Sequence, residues 1–138
     1  MEKLTFDTGI KEYEVNGGAI LRFNPSDSAF VGKLFDAFDS LDKKQEIYRA
    51  QIDSMKDKRE IFEIAHNQDI EMRTIIDGVF GPICDSLFGD MNVYAMADGL
   101  PVWCNFLLAI IDEVDTSFAR EQKKTNPRIA KYTAKYHK

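Results

Sequence analysis

The stretch "LPVWCNFLLAII", Leu100 to Ile111, constrains the fold more than any other part of the chain. It is apolar on nearly every side, interrupted only by Pro101 and Asn105, and it stops at Asp112, Glu113 and Asp115. A helix without a polar face has to be covered, either by the rest of a protein or by lipid. Crossing a bilayer takes roughly 20 apolar residues, more than this run supplies. The stretch therefore predicts a core helix that begins at Pro101, a residue suited to a first helical turn, and continues to about Lys124. The sequence "DEVD" marks where that helix emerges into water.

A covered helix needs neighbours, and the chain has the length for them. Its 138 residues, 44% hydrophobic and 30% charged, predict a single domain with a real core and no disorder signature. In "NPSDSAF", Pro25 ends an extended segment, and Ser26 or Asp27 can cap a helix. Phe30, Val31, Leu34, Phe35, Phe38 and Leu41 then recur every three or four residues, predicting an amphipathic helix that reaches about Met55 through Ile47, Tyr48 and Ile52. Its apolar stripe thins at "DKKQE", where a bend or break is expected. A second helix is predicted from about Lys58 to Val79, with Ile61, Phe62, Ile64, Ala65, Met72, Ile75, Ile76 and Val79 inward. Gly81 suits its C-terminal cap and Pro82 the first turn of a short helix closed by Gly89. "MADGLP" reads as a break.

Ahead of the helices, "KEYEVNGGAILRF" places Tyr13, Val15, Ile20, Leu21 and Phe23 on either side of Asn16-Gly17-Gly18, residues that tolerate the positive φ of a tight hairpin turn. "LTFDT" is a candidate third strand. The fold class expected is mainly α with a small N-terminal β-hairpin, an α+β chain built as an antiparallel helical array. Its parts are a hairpin element over 1–25, a helical body over 26–125 and a basic tail over 126–138.

Catalytic and metal-binding patterns are weak. "NGGA" lacks the spacing of a phosphate loop, and neither His66 nor His137 belongs to a zinc-binding pattern. Asp36, Asp39 and Asp42 repeat every three residues without the glycine and terminal glutamate of a calcium loop, so they read as a solvated face. Cys104 has no nearby His to activate it, and Cys84 and Cys104 are too few for a disulfide framework, so buried reduced thiols are expected. Asp112, Glu113 and Asp115 point in different directions on a helix and make a poor acid–base pair. No cofactor, metal or enzymatic activity is expected, nor a membrane span or a secretory signal in "MEKLTFDTG".

Charge divides the chain. From Arg120 onward there are Arg120, Lys123, Lys124, Arg128, Lys131, Lys135 and Lys138 against Glu121 alone, a net +6, while residues 1–119 carry −11. On a helix Lys131 and Lys135 would form a cationic stripe beside Tyr132 and Tyr136. Such an end could grip an acidic protein surface or contact phosphates with bases stacked on the rings, and it could equally be a solvated terminus. An acidic body repels polyanions, which makes nucleic acid the less favoured partner.

The segments "LTFDTGIKEYEVNGGAILRFNPSD" and "FGDMNVYAMADGLPVWCNFLLAIIDEVD", separated by amphipathic helices, resemble the small tail assembly chaperones of long-tailed phages and prophages of Firmicutes. The resemblance covers most of the chain and is most specific at "FNPSD" and "ADGLPVWCNFLLAI". It implies a non-enzymatic protein of the bacterial host cytoplasm that coats the apolar, helical tape-measure protein before the tail tube polymerises around it. It also implies self-association, and a longer frameshifted form that recruits tail-tube protein. A coat for such a client needs exposed apolar side chains in a helical groove. Trp103, Phe106, Leu107 and Ile110, three or four residues apart, are the first candidates, although the same stripe also suits the domain's own core. Phe80, Ile83 and Phe88, flanked by helix breaks, are the second. Arg128, Lys131, Tyr132, Lys135 and Tyr136 are candidates for a polar partner surface.

Overall fold

A computed structural model of the chain describes residues 1–124. It is mainly helical, with a two-stranded antiparallel sheet leading into four helices. Strand β1 (Lys11–Val15) pairs with β2 (Ala19–Phe23) in a register that sets Tyr13 opposite Leu21 and Val15 opposite Ala19. The turn lies at Asn16-Gly17-Gly18, where Asn16 and Gly17 take φ of 52° and 71°. Ala19, Leu21 and Phe23 face the core, while Ile20 points to solvent. That alternation is the period-two rule of a sheet with one covered face.

The expected third strand does not form. Instead, Asp7 Oδ1 accepts the Gly9 amide at 2.8 Å, Gly9 turns the chain with φ of 74°, and Asn24 Nδ2 donates to the Thr8 carbonyl at 2.9 Å. These contacts turn the chain and fix the root of residues 1–8 beside the end of β2.

Helix α1 (Ser28–Asp53) starts where the Asp27 carboxylate accepts the Ala29 amide. It runs unbroken through "DKKQE", because the polar residues there reach across to other elements. Gln45 accepts the Trp103 indole N–H at 2.8 Å, and Lys44 pairs with Glu71 at 3.5 Å. Leu34, Ala37 and Leu41 are its buried row. Phe35 and Ile47, expected inward, are exposed, since at 3.6 residues per turn Phe35 lies about 100° round from Leu34.

Ser54–Asp57 link α1 to α2 (Lys58–Phe80), a connection short enough to make them antiparallel neighbours. Met72 and Ile76 of α2 are fully buried, while Phe62, also expected inward, is exposed near the helix start. Gly81 closes α2 with φ of 85°. The short helix α3 (Cys84–Phe88) begins two residues after Pro82, leaving the proline outside its first turn, because α2 supplies its cap: Asp77 Oδ1 accepts the Ile83 and Cys84 amides at 3.1 and 3.0 Å.

"MADGLP" is not merely a break. It forms a second small hairpin, β3 (Met96–Ala97) with β4 (Leu100–Pro101), turning on Asp98 and Gly99 at φ of 55° and 79°. Positive φ at both central residues is the geometry that Asp-Gly favours in two-residue hairpins. Helix α4 (Val102–Lys123) follows at once. No side chain caps it, but the carbonyls of Ala95 and Val93 accept the Val102 and Trp103 amides at 2.8 and 3.1 Å. Its buried row, Trp103, Phe106, Leu107, Ile110 and Val114, packs against Leu21, Leu41, Met72 and Ile76. The described helices include none long and apolar enough to cross a membrane.

Candidate functional site

One end of the helical array carries an apolar groove of about 340 Å³. Its walls are Val15 and Asn16 at the β1 turn, Leu87, Phe88 and Met91 around α3, Ala97 on β3, and Val102, Asn105, Phe106 and Ala109 on α4. None of these side chains titrates. At the rim, Asn105 Nδ2 donates to the Ala97 carbonyl at 2.8 Å and ties β3 to α4.

The α3 wall is held by a polar stripe of α2 that occupies the positions i, i+4 and i+8. Arg73 Nε donates to Asp69 Oδ2 at 3.0 Å. Its Nη2 donates to the carbonyls of Gly89 and Met91, each at 2.7 Å, and its Nη1 reaches Asp85 Oδ1 at 3.2 Å and the Cys84 carbonyl at 3.4 Å. The other Asp69 oxygen accepts the buried Val93 amide at 2.7 Å. A single planar guanidinium thus fastens both ends of α3 to α2, a geometry lysine could not reproduce. Its carbon also lies 5.9 Å from the centre of the Phe88 ring, a cation–π contact behind the groove wall.

Aromatic packing fixes the inner side. Phe106 lies 5.3 Å from Phe80 and 5.9 Å from Phe88, and Phe80 in turn meets Phe23 and Phe30. Phe88 and Phe106 are therefore where the two sets of sequence candidates meet, Phe106 from below and Phe88 from the side.

The remaining candidates divide. Trp103, Leu107 and Ile110 are buried in the core and present no exposed stripe, and Trp103 is fixed there by its bond to Gln45 and an edge contact to Phe38. Their interaction-edge reading is corrected by burial: the face they share is the one α4 turns toward α1, α2 and β2. Phe106 is also buried but touches the groove floor. Phe80 and Ile83 are half-buried against the core. Arg128, Lys131, Tyr132, Lys135 and Tyr136, with His137 and the expected break at Asn126-Pro127, lie outside the described residues.

Groups considered for chemistry are placed apart. Asp36, Asp39 and Asp42 are solvent-exposed, as is His66, and no three Asp, Glu, His or Cys converge among the described residues. Glu113 serves structure, accepting the Tyr13 hydroxyl at 3.0 Å and the Ser117 hydroxyl at 3.2 Å. Burial pushes the Cys84 thiol pKa far up, reinforced by Asp77 beside it, and burial raises Cys104 too, with Asp42 adding to the effect. Both thiols stay protonated and unreactive at neutral pH.

The groove residues the sequence reading missed are Val15, Asn16, Leu87, Met91, Ala97, Val102, Asn105 and Ala109, and none carries a distinctive binding signal by itself. Asp69, Arg73 and Asp77 did carry a signal. Charges four apart beside the buried positions Met72 and Ile76 mark a polar stripe bordering a core face. Comparison with protein-family models, with curated proteins and with solved structures yields no match for this chain.

Proposed function

We propose that the chain is a non-enzymatic binding protein, a tail assembly chaperone that takes apolar side chains of the helical tape-measure protein into the groove between α3, β3 and α4. The observation that carries this reading is the groove itself: an apolar recess walled by side chains that do not titrate, on a wall clamped by Arg73. Such a recess suits a hydrophobic client without demanding a particular sequence, which a coat along a long helix requires. Modest affinity per copy suffices when many copies bind one client and contact one another. The family resemblance of "FNPSD" and "ADGLPVWCNFLLAI" supports the same reading.

Co-expression with the tape-measure protein, followed by affinity capture and sizing, tests it. The expected result is a soluble complex with many copies of this chain per client, lost when the groove is filled by Ala109→Arg. Ala109 is exposed, so this variant keeps the fold. A client that stays insoluble, or capture unchanged by Ala109→Arg, overturns the proposal.

A further inference from the structure

Residues 1–8 form no helix or strand, and within them Leu4 is 96% and Phe6 84% exposed. Two residues apart, these side chains would share one side of the segment when it is extended. We propose that this arm docks on a second copy of the chain, seating Leu4 and Phe6 in its groove against Leu87, Phe88 and Val102. The inference rests on the groove being a docking surface, as proposed above, and names a second copy as an occupant when no client is bound.

Reach excludes the arm's own groove. Asn24 holds the Thr8 carbonyl beside the open end of the hairpin, whereas Val15 and Asn16 line the groove at the turn end. The strand between these ends, Lys11 to Val15, rises about 14 Å. From Thr8 a fully extended chain carries Phe6 only about 7 Å and Leu4 about 14 Å, so the two cannot both enter. A neighbouring copy has no such limit. The groove's 340 Å³ is the scale of two large apolar side chains. Reciprocal exchange would bury four such side chains and both grooves, on the order of 1,000 Å² in total, which is at the threshold for a specific interface.

The test is light scattering on the full chain, on a Leu4→Asp/Phe6→Asp variant and on Ala109→Trp, with circular dichroism to verify folding. The expected result is a full chain of two or more copies per particle and both variants shifted to monomer, with association weakened at least tenfold. Mixing a Phe6→Cys chain with an Ala97→Cys chain in the presence of a disulfide oxidant such as oxidised glutathione should give a mixed disulfide between the two chains, since the native thiols are buried. A monomeric full chain, an oligomer unchanged in both variants, or an intrachain disulfide in a monomeric Phe6→Cys/Ala97→Cys chain overturns the proposal. Client capture is scored separately on the Leu4→Asp/Phe6→Asp variant, whose groove is intact. Loss of self-association and loss of client binding are thereby read apart.

Discussion

Arg73 is the residue on which the groove most depends. Its side chain is 14% exposed and its partner Asp69 is nearly buried, so removing the guanidinium strands a carboxylate among apolar groups. Arg73→Ala should destabilise the chain by about 3–5 kcal/mol in urea denaturation, the range for breaking a buried pair on one side. Arg73→Lys should recover only part of the loss, because one ammonium cannot serve Asp69, Gly89 and Met91 together. The thiols make a second test at this scale. Since burial raises the pKa of both Cys84 and Cys104, the thiolate fraction near pH 8.5 is below that of a free cysteine. Disulfide-exchange reagents at about that pH should label the folded chain slowly and both cysteines at once after denaturation. Rapid labelling of the native state would contradict the burial.

Among the elements, α4 and the hairpin preceding it are coupled. The carbonyls of Val93 and Ala95 cap α4, and the Asp98-Gly99 turn presents them. Gly99→Val forces a branched side chain into a φ of 79° and should cost on the order of 1–3 kcal/mol, read as a lower thermal midpoint with faster amide exchange at Val102 and Trp103. The core face of α4 should respond differently from its neighbours' solvent faces. Leu107→Ala removes a fully buried side chain and is expected to cost about 2–5 kcal/mol. Phe62→Ser on α2, at 70% exposure, should stay within about 0.5 kcal/mol of the parent chain.

At the scale of the whole molecule, the groove and the charge distribution make opposite demands on a partner. The groove walls do not titrate, so client capture there should persist between about 0.1 and 0.5 M salt. Binding to a polyanion through the basic end would fall steeply over the same interval. A salt titration of client capture thus distinguishes the two: a steep loss would assign the interaction to the chain's charge and overturn the groove reading. Many copies along one client would raise apparent affinity without further contacts, so capture should weaken sharply with shortened client segments.

The sequence by itself determined the main elements, though not the Met96–Pro101 hairpin, and it offered a third strand that does not form. Periodicity marked α1, α2 and α4, Asn16-Gly17 marked the hairpin turn, and the brevity of Leu100–Ile111 made it a core helix rather than a membrane span. These features are local, written in spacing and in backbone tolerance for positive φ. Which side of a stripe is covered was decided only by the tertiary structure. Phe35, Ile47 and Phe62 share helices with Leu34, Leu41 and Met72, yet only the latter meet α4 and β2. Trp103, Leu107 and Ile110 became core for the same reason, because burial depends on what packs opposite. The candidate groove was legible at Phe88 and Phe106 alone. Its other walls come from β1, β3, α4 and the loop after α3, the loop held by hydrogen-bonding side chains of α2 and β3 tied to α4 by Asn105. A surface assembled from segments far apart in sequence has no period to betray it.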